Sequence, residues 1–250
     1  MKKEDQEIMV GGKYVSSLLM ESCGVISVTS TRQSGNMSIS RDLDGHANRN
    51  FNNLIESLEI DSTLKAICLL GATHSTNIAL LEDKGNRGKQ TISQLSPEVT
   101  KIRKVQGIEV PEHYLPSRDS GIDAAITQSR DLLIGVLPAD CAIVHIFDPI
   151  TNTIAITHSG AIGSFSRVVP NTIFAMDEWL GTKAQDIIVY VSPCVASKSY
   201  KLGKSGLWNS VFKGKVDEKY ADTFDQRDFI KKQLIGVGVR DKNISISKFC

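Results

Sequence analysis

Between Asp123 and Ser159 the chain carries four apolar runs, DAAIT, LLIGVLP, AIVHIFD and TIAITHS, separated only by short polar steps. Runs of this length, rich in Val and Ile and bounded by turn residues, are the pattern of closely spaced buried strands. The second and third runs meet at Pro138-Ala139-Asp140-Cys141. Two readings of that step are open. It is a turn that contains a small packed Cys, or a strand end that presents Cys141 for chemistry.

The rest of the chain supplies the other elements. VSSLLMESCGVISVTSTR is strand material ending in a polar loop. HANRNFNNLIESLEI places Phe51, Leu54, Ile55 and Leu58 at helical spacing. KAICLLGATHS is an apolar run ending in polar residues, and NIALLED is a second short strand. AIGSFSRVVPNTIFAMDEWLG carries a helical apolar stripe with Gly181 as its cap, although Pro170 conflicts with an unbroken helix. DIIVYVSP and NISISKF are strands, and DQRDFIKKQLIGVGV is an amphipathic helix stopped by glycines. Residues 82–120 differ in character: polar, charged and holding three prolines, they form a long connecting excursion with a short helix near Pro97. Strands mixed with long helices make an α/β or α+β domain, here one domain over 1–250.

Composition narrows the partners. A net charge of +1 gives no general reason to expect a nucleic acid polymer or a membrane surface. No apolar run approaches the roughly 20 residues of a membrane span, and the N-terminus lacks the apolar core of a signal peptide. The cysteines are five, an odd number, without a CxxC pair, which points to a reducing cytoplasm rather than a disulfide framework. Oligomeric state is left open by the sequence.

Three residues share one kind of place. His74 follows AICLLGA, Cys141 follows LLIGVLP, and His158 follows TIAIT. Two imidazoles and a thiolate suit zinc, and three protein ligands leave a fourth position for water or substrate. Taken singly, a strand-end His is ordinarily a hydrogen-bonded structural residue and a Cys a packed hydrophobe. Asp140 either orients a ligand histidine or caps the turn. Cys194 lines the cleft or packs in the core. His46, His113 and His145 show no partner in the sequence, and His145 is an ordinary strand residue.

The order of motifs resembles the family named multicopper polyphenol oxidase or laccase-like, now associated with purine nucleoside phosphorylase. Its QVHG, ADC and HAGWRG segments are matched here by ATHS (Ala72–Ser75), PADC (Pro138–Cys141) and HSGAIG (His158–Gly163). TRQSGNMS, with Arg32, resembles TRxGGxS, and DAAIT, with Asp123, resembles DGLVT. Asn50 and Leu54 resemble NRxxL, SPC with YKLG resembles GPCI with YEVG, and Asp225, Leu234 and Gly238 keep the spacing of a late helix motif. The likeness runs from about Gly24 to Cys250.

The resemblance implies an α-β-β-α sandwich with mixed sheets and a site at the sheet edge. It implies that His74, Cys141 and His158 are the metal ligands and catalytic residues, with zinc favoured over copper. It implies phosphorolysis of adenosine, inosine or methylthioadenosine, or deamination of adenosine, with a nucleoside and phosphate as partners. Arg32, Asp123 and Gly160 are then the substrate-binding candidates. Ala161 and Ile162 stand where that family has Trp and Arg, Ala72 and Ser75 where it has Gln and Gly, and Ser34 where it has Gly. Two rivals follow from these departures: a cysteine-dependent hydrolase or editing enzyme on a cell-wall precursor, and a metal-binding relative that has lost turnover.

Overall fold

The computed structural model describes residues 7–38, 45–60, 66–72, 74–82, 98–103 and 121–250, with backbone alone for 66–68 and 98–103. The N-terminal part holds strands β1 (Glu7–Val10) and β2 (Tyr14–Ser17), helix α1 (Leu18–Glu21), β3 (Val28–Ser30), helix α2 (His46–Ser57), β4 (Ala66–Leu70) and β5 (Ile78–Glu82). Then come β6 (Glu98–Arg103), β7 (Ala124–Thr127), β8 (Leu132–Val136), β9 (Ala142–Asp148) and β10 (Thr153–Ser159). Helices α3 (Ala161–Phe165) and α4 (Val168–Leu180), β11 (Ile188–Val191), helices α5 (Lys219–Asp222) and α6 (Gln226–Gly236), and β12 (Ile244–Ile246) complete the chain.

The strands form three sheets: β1-β2-β3, the pair β4-β8, and a seven-stranded sheet in the order β12-β11-β9-β10-β7-β5-β6. The large sheet is mixed, since β5 and β7 run parallel while β9 and β10 form an antiparallel hairpin. Its inward alternation is clear on β9. Val144 and Ile146 pack with Val169, Ile173 and Met176 of α4 and Ile230 and Leu234 of α6. Ile143, one residue before Val144, packs on the opposite face with Leu70 and Leu132 of the β4-β8 pair. Each fully buried side chain of this kind stabilises the fold by about 1.5–3 kcal/mol. Helix α2 docks against the single turn Arg32–Ser34 that follows β3, and Asn50 Nδ2 donates to the Asn36 carbonyl just beyond it at 2.8 Å. The layering is helix, sheet, sheet, helix, as the motif order implied. No helix among the described residues is long and apolar enough to cross a membrane.

Three details differ from the sequence expectation. VSSLLMES leaves its strand at Ser17, whose hydroxyl accepts the Met20 N–H and starts α1. The long stripe 161–180 splits into two helices at Arg167, which has φ 61°, and Pro170 falls in the first turn of α4, where its missing N–H has no acceptor to lose. Within the 82–120 excursion, the residues after Pro97 form strand β6 against β5 rather than a helix. The remainder of that excursion, 83–97 and 104–120, lies outside the described residues, as does His113.

The two apolar runs that meet at Pro138–Cys141 belong to different sheets, since β8 pairs with β4 and β9 with β10 and β11. The Pro-Ala-Asp-Cys step is the crossing from one layer to the other.

Candidate metal centre

His74, Cys141 and His158 come together at the end of the large sheet, where the chain leaves β4, enters β9 and leaves β10. Their ligating atoms all lie within 4.8 Å of one another. Cys141 Sγ is 3.7 Å from His74 Nε2, and the two imidazole rings meet edge to face at 5.0 Å between centroids. His158 is buried, while His74 and Cys141 are partly exposed. The group is therefore open on one side, as a three-ligand site with a fourth position requires.

Asp123, at the start of β7, organises both histidines. Its Oδ1 accepts His158 Nδ1–H at 2.7 Å and the backbone N–H of His74 at 3.0 Å. Its Oδ2 accepts the Ser75 N–H at 2.7 Å, and the Ser75 hydroxyl lies 2.5 Å from the same oxygen. These bonds place a proton of His158 on Nδ1 and turn Nε2 toward the cluster. They also hold His74 at φ 60°, a left-handed conformation that costs a non-glycine residue on the order of 1 kcal/mol. Two consecutive amides pointing at one carboxylate make a small anion nest.

The electrostatics favour neutral groups. Burial lowers the pKa of His74, and the neighbouring His158 lowers it further. Burial and then Asp140 push the Cys141 thiol up to about 12. Cys141 Sγ lies 3.9 Å from Asp140 Oδ1. Without a cation beside it, this thiol stays protonated at neutral pH.

Gly160 follows His158 and lacks room for a side chain. A Cβ there would stand 2.8 Å from Cys141 Sγ and 2.8 Å from His74 Cδ2. Its backbone is ordinary, with φ −74°, so close approach rather than torsion calls for glycine.

The other candidates fall in different places. Asp123 is fully buried with both oxygens engaged below the histidines, so it faces them and not the open side. Arg32 is exposed on a single turn beside the β1-β2 hairpin, and no hydrogen bond joins it to the triad. Cys194 is buried, and its thiol is pushed up to about 11 by burial. Ile162 is buried in an aromatic cluster with Trp208, Phe212 and Phe224, so the position offers no cation to the site. His145 is separate from the triad. It borders a cavity of about 470 Å³ with Met20, Ile134 and Ile156. Sequence reasoning missed Ser75 and Gln226 as parts of the site's frame. Ser75 sits in the ATHS segment itself, and Gln226 has only its place beside the Asp225 N-cap as a signal.

Comparisons with known proteins bear on the family and the fold. The family described as multi-copper polyphenol oxidoreductase laccase matches residues 21–250. A purine nucleoside phosphorylase of Clostridium acetobutylicum is 34% identical over 133 residues, 51% of this chain and 55% of that one. One from Streptomyces coelicolor is 36% identical over 104 residues, 40% and 43% of the two chains. The chain thus spans about half the length of the curated relatives it matches. Among solved structures, the hypothetical protein YfiH of Bacillus licheniformis superposes with a TM-score of 0.71 at 16% identity, covering 98% of this chain and 89% of that one. YlmD from Geobacillus stearothermophilus gives 0.71 at 17% with the same coverage. At these identities the two structures speak for the fold alone.

Proposed function

The chain belongs to the multi-copper polyphenol oxidoreductase laccase family, and we propose that it is a zinc-dependent enzyme acting on purine nucleosides, by phosphorolysis of adenosine, inosine or methylthioadenosine or by deamination of adenosine. The observation that carries the metal is the cluster itself: three ligand atoms within 4.8 Å, one of them aimed by a buried carboxylate. The substrate class rests on the relatives named purine nucleoside phosphorylase.

The donor set fits one zinc ion, with His74, Cys141 and His158 as its ligands. When bound there, zinc would supply a Lewis acid and bring the pKa of a coordinated water toward about 7. Asp123 acts through the histidines: it fixes the His158 tautomer and the His74 backbone, and it does not meet the substrate. Gly160 keeps the ligands' inner side free of a methyl group. Arg32 and the backbone after Gly160 are the groups we assign to the anionic or ribosyl part of the substrate. Two imidazoles and a thiolate also suit copper, which phenol oxidation would need because zinc has no redox chemistry. A cytoplasmic location is part of the proposal and fits the free thiols at Cys23, Cys141, Cys194 and Cys250.

The 3.7 Å contact between Cys141 and His74 also permits a thiol nucleophile with a histidine base. The raised thiol pKa disfavours it. Metal analysis of the purified protein, followed by assays of adenosine, inosine and methylthioadenosine with and without phosphate, tests the proposal. One zinc per chain is expected, with turnover abolished in Cys141→Ala. A metal-free wild type whose turnover survives Cys141→Ala overturns it, and a covalent substrate adduct on Cys141 supports the nucleophile instead.

A further inference from the structure

Behind the metal centre, on the side of the helices, lies a polar group that the proposed chemistry does not use. Gln226, the first residue of α6, is 1% exposed. A buried primary amide left without partners costs several kcal/mol, so its bonds indicate its task. Its Nε2 donates to the Ser159 carbonyl and, at 3.3 Å, to the Ser164 hydroxyl. Its Oε1 accepts the Ala142 N–H at 3.4 Å. Chemistry fixes which way the amide faces, because Ala142 N–H can only donate and the Ser159 carbonyl can only accept.

The two strand residues it touches are not arbitrary. Ala142 and Ser159 are cross-strand partners, the last pair of the β9-β10 ladder. Ala142 follows Cys141 directly, and Ser159 follows His158 directly. One side chain therefore ties the backbone next to the thiol ligand to the backbone next to the buried histidine ligand. Ser164 on α3 closes the arrangement, its hydroxyl 2.9 Å from that of Ser159, while Gln233, two turns along α6, donates to the Ser164 carbonyl at 2.8 Å.

We propose that Gln226 is a positioning residue of the metal centre: its amide clamps the open end of the β9-β10 hairpin and so sets the spacing between Cys141 and His158. It touches neither metal nor substrate and acts through the two strand ends. The inference rests on the metal reading only for its first readout. Groups that orient ligands from outside the coordination sphere are worth about 10–100-fold in metal affinity.

The test compares Gln226→Leu and Gln226→Glu with Ser164→Ala and Gln233→Leu in the full chain. Gln226→Glu keeps the acceptor for Ala142 and the side-chain length but loses the donor to Ser159. Zinc affinity is measured by chelator competition, and Co²⁺-substituted protein is read by its thiolate charge-transfer and visible bands. Both Gln226 variants are expected to bind zinc at least tenfold more weakly and to show altered cobalt bands, while the Ser164 and Gln233 variants stay within about threefold of wild type. Loss of thermal stability in all four variants with no selective change at Gln226 overturns the proposal, because the amide would then be a core residue only.

A metal-free arm separates the two claims. In chelator-treated protein, the alkylation rate of Cys141 by iodoacetamide, followed by peptide mass, should rise several-fold in both Gln226 variants and not in the two controls. If wild type binds no zinc, the metal reading fails and this arm alone decides the clamp. Equal alkylation rates in all proteins then overturn it.

Discussion

Two histidines lie on adjacent strands of the large sheet and on the same face, yet they live in opposite circumstances. His158, at the end of β10, gives its Nδ1–H to Asp123 at 2.7 Å and stands in the cluster with His74 and Cys141. His145, in the middle of β9, has cross-strand neighbours Ile156 and Tyr190, and its Nε2 is buried without a partner. The Tyr190 hydroxyl does not help, because it donates to Glu7 at 2.9 Å. Burial drives the His145 pKa down to about 4. A sheet interior surrounds a polar side chain with its neighbours' apolar side chains. A sheet end surrounds it with turns, whose amides and carboxylates can be turned toward it. That is why the cluster gathers where β4, β9 and β10 end and not where they are best packed.

The largest effect that can break this contrast is loss of a ligand. Cys141→Ala and His158→Ala are expected to abolish zinc binding, a loss of at least about 10³-fold, since either leaves two protein ligands where a catalytic site needs three. His145→Leu should leave zinc affinity unchanged. Equilibrium dialysis of the three variants checks both halves, and weakened binding in His145→Leu would erase the distinction.

Asp123→Asn comes next. The amide can still accept from His158, but its NH₂ group then faces the Ser75 N–H, which sits 2.7 Å from Oδ2. Zinc affinity should fall about 10–100-fold, and stability by about 1–3 kcal/mol for the unpaired donor. Chelator competition and urea unfolding give the two numbers. A variant with wild-type zinc affinity removes Asp123 from the centre. Gly160→Ala is expected to be milder, with zinc bound up to about tenfold more weakly. Its Cβ would press on Cys141 Sγ and His74 Cδ2, which are side-chain atoms able to shift by some tenths of an ångström.

Most of this scaffold could be read from the chain. The strands from Asp123 to Ser159 and the helices α2, α4 and α6 announce themselves, because hydrophobic period is a local signal and burial on both faces amplifies it. His74, Cys141 and His158 could be read as strand ends, and motif order joined them. What local pattern does not carry is pairing. Nothing in LLIGVLP says that it joins KAICLL in a separate sheet, so the Pro-Ala-Asp-Cys step reads as a turn when it is a crossing between layers. Strand β6 is hidden because TKIRK is charged, and an edge strand next to β5 needs no apolar alternation. Asp123 could be read as a site residue, but its direction could not, since that depends on His74 and Ser75, 49 and 48 positions away. Gln226 was silent for the same reason: its partners at Ala142 and Ser159 are 84 and 67 positions distant.

The smallest effect sharpens the contrast from the side of His145. In the folded chain this imidazole takes up its proton only near pH 4, against 6.5 for the ordinary group. Between those values the unfolded chain holds more protons than the folded one, so stability falls as pH falls. The contribution of neutral burial is fully present above about pH 6.5 and is lost progressively toward pH 4, with a span of at most about 3 kcal/mol. His145→Leu removes that titration. In metal-free protein, the difference in unfolding free energy between His145→Leu and wild type should therefore grow in favour of the variant as the pH is lowered from 7 to 4.5, while remaining constant from 7 to 8. Carboxylates titrate alike in both proteins and cancel in the difference. Parallel stability curves over the whole range would show that His145 is solvated after all, and the middle of β9 would then be no harsher to a histidine than the end of β10.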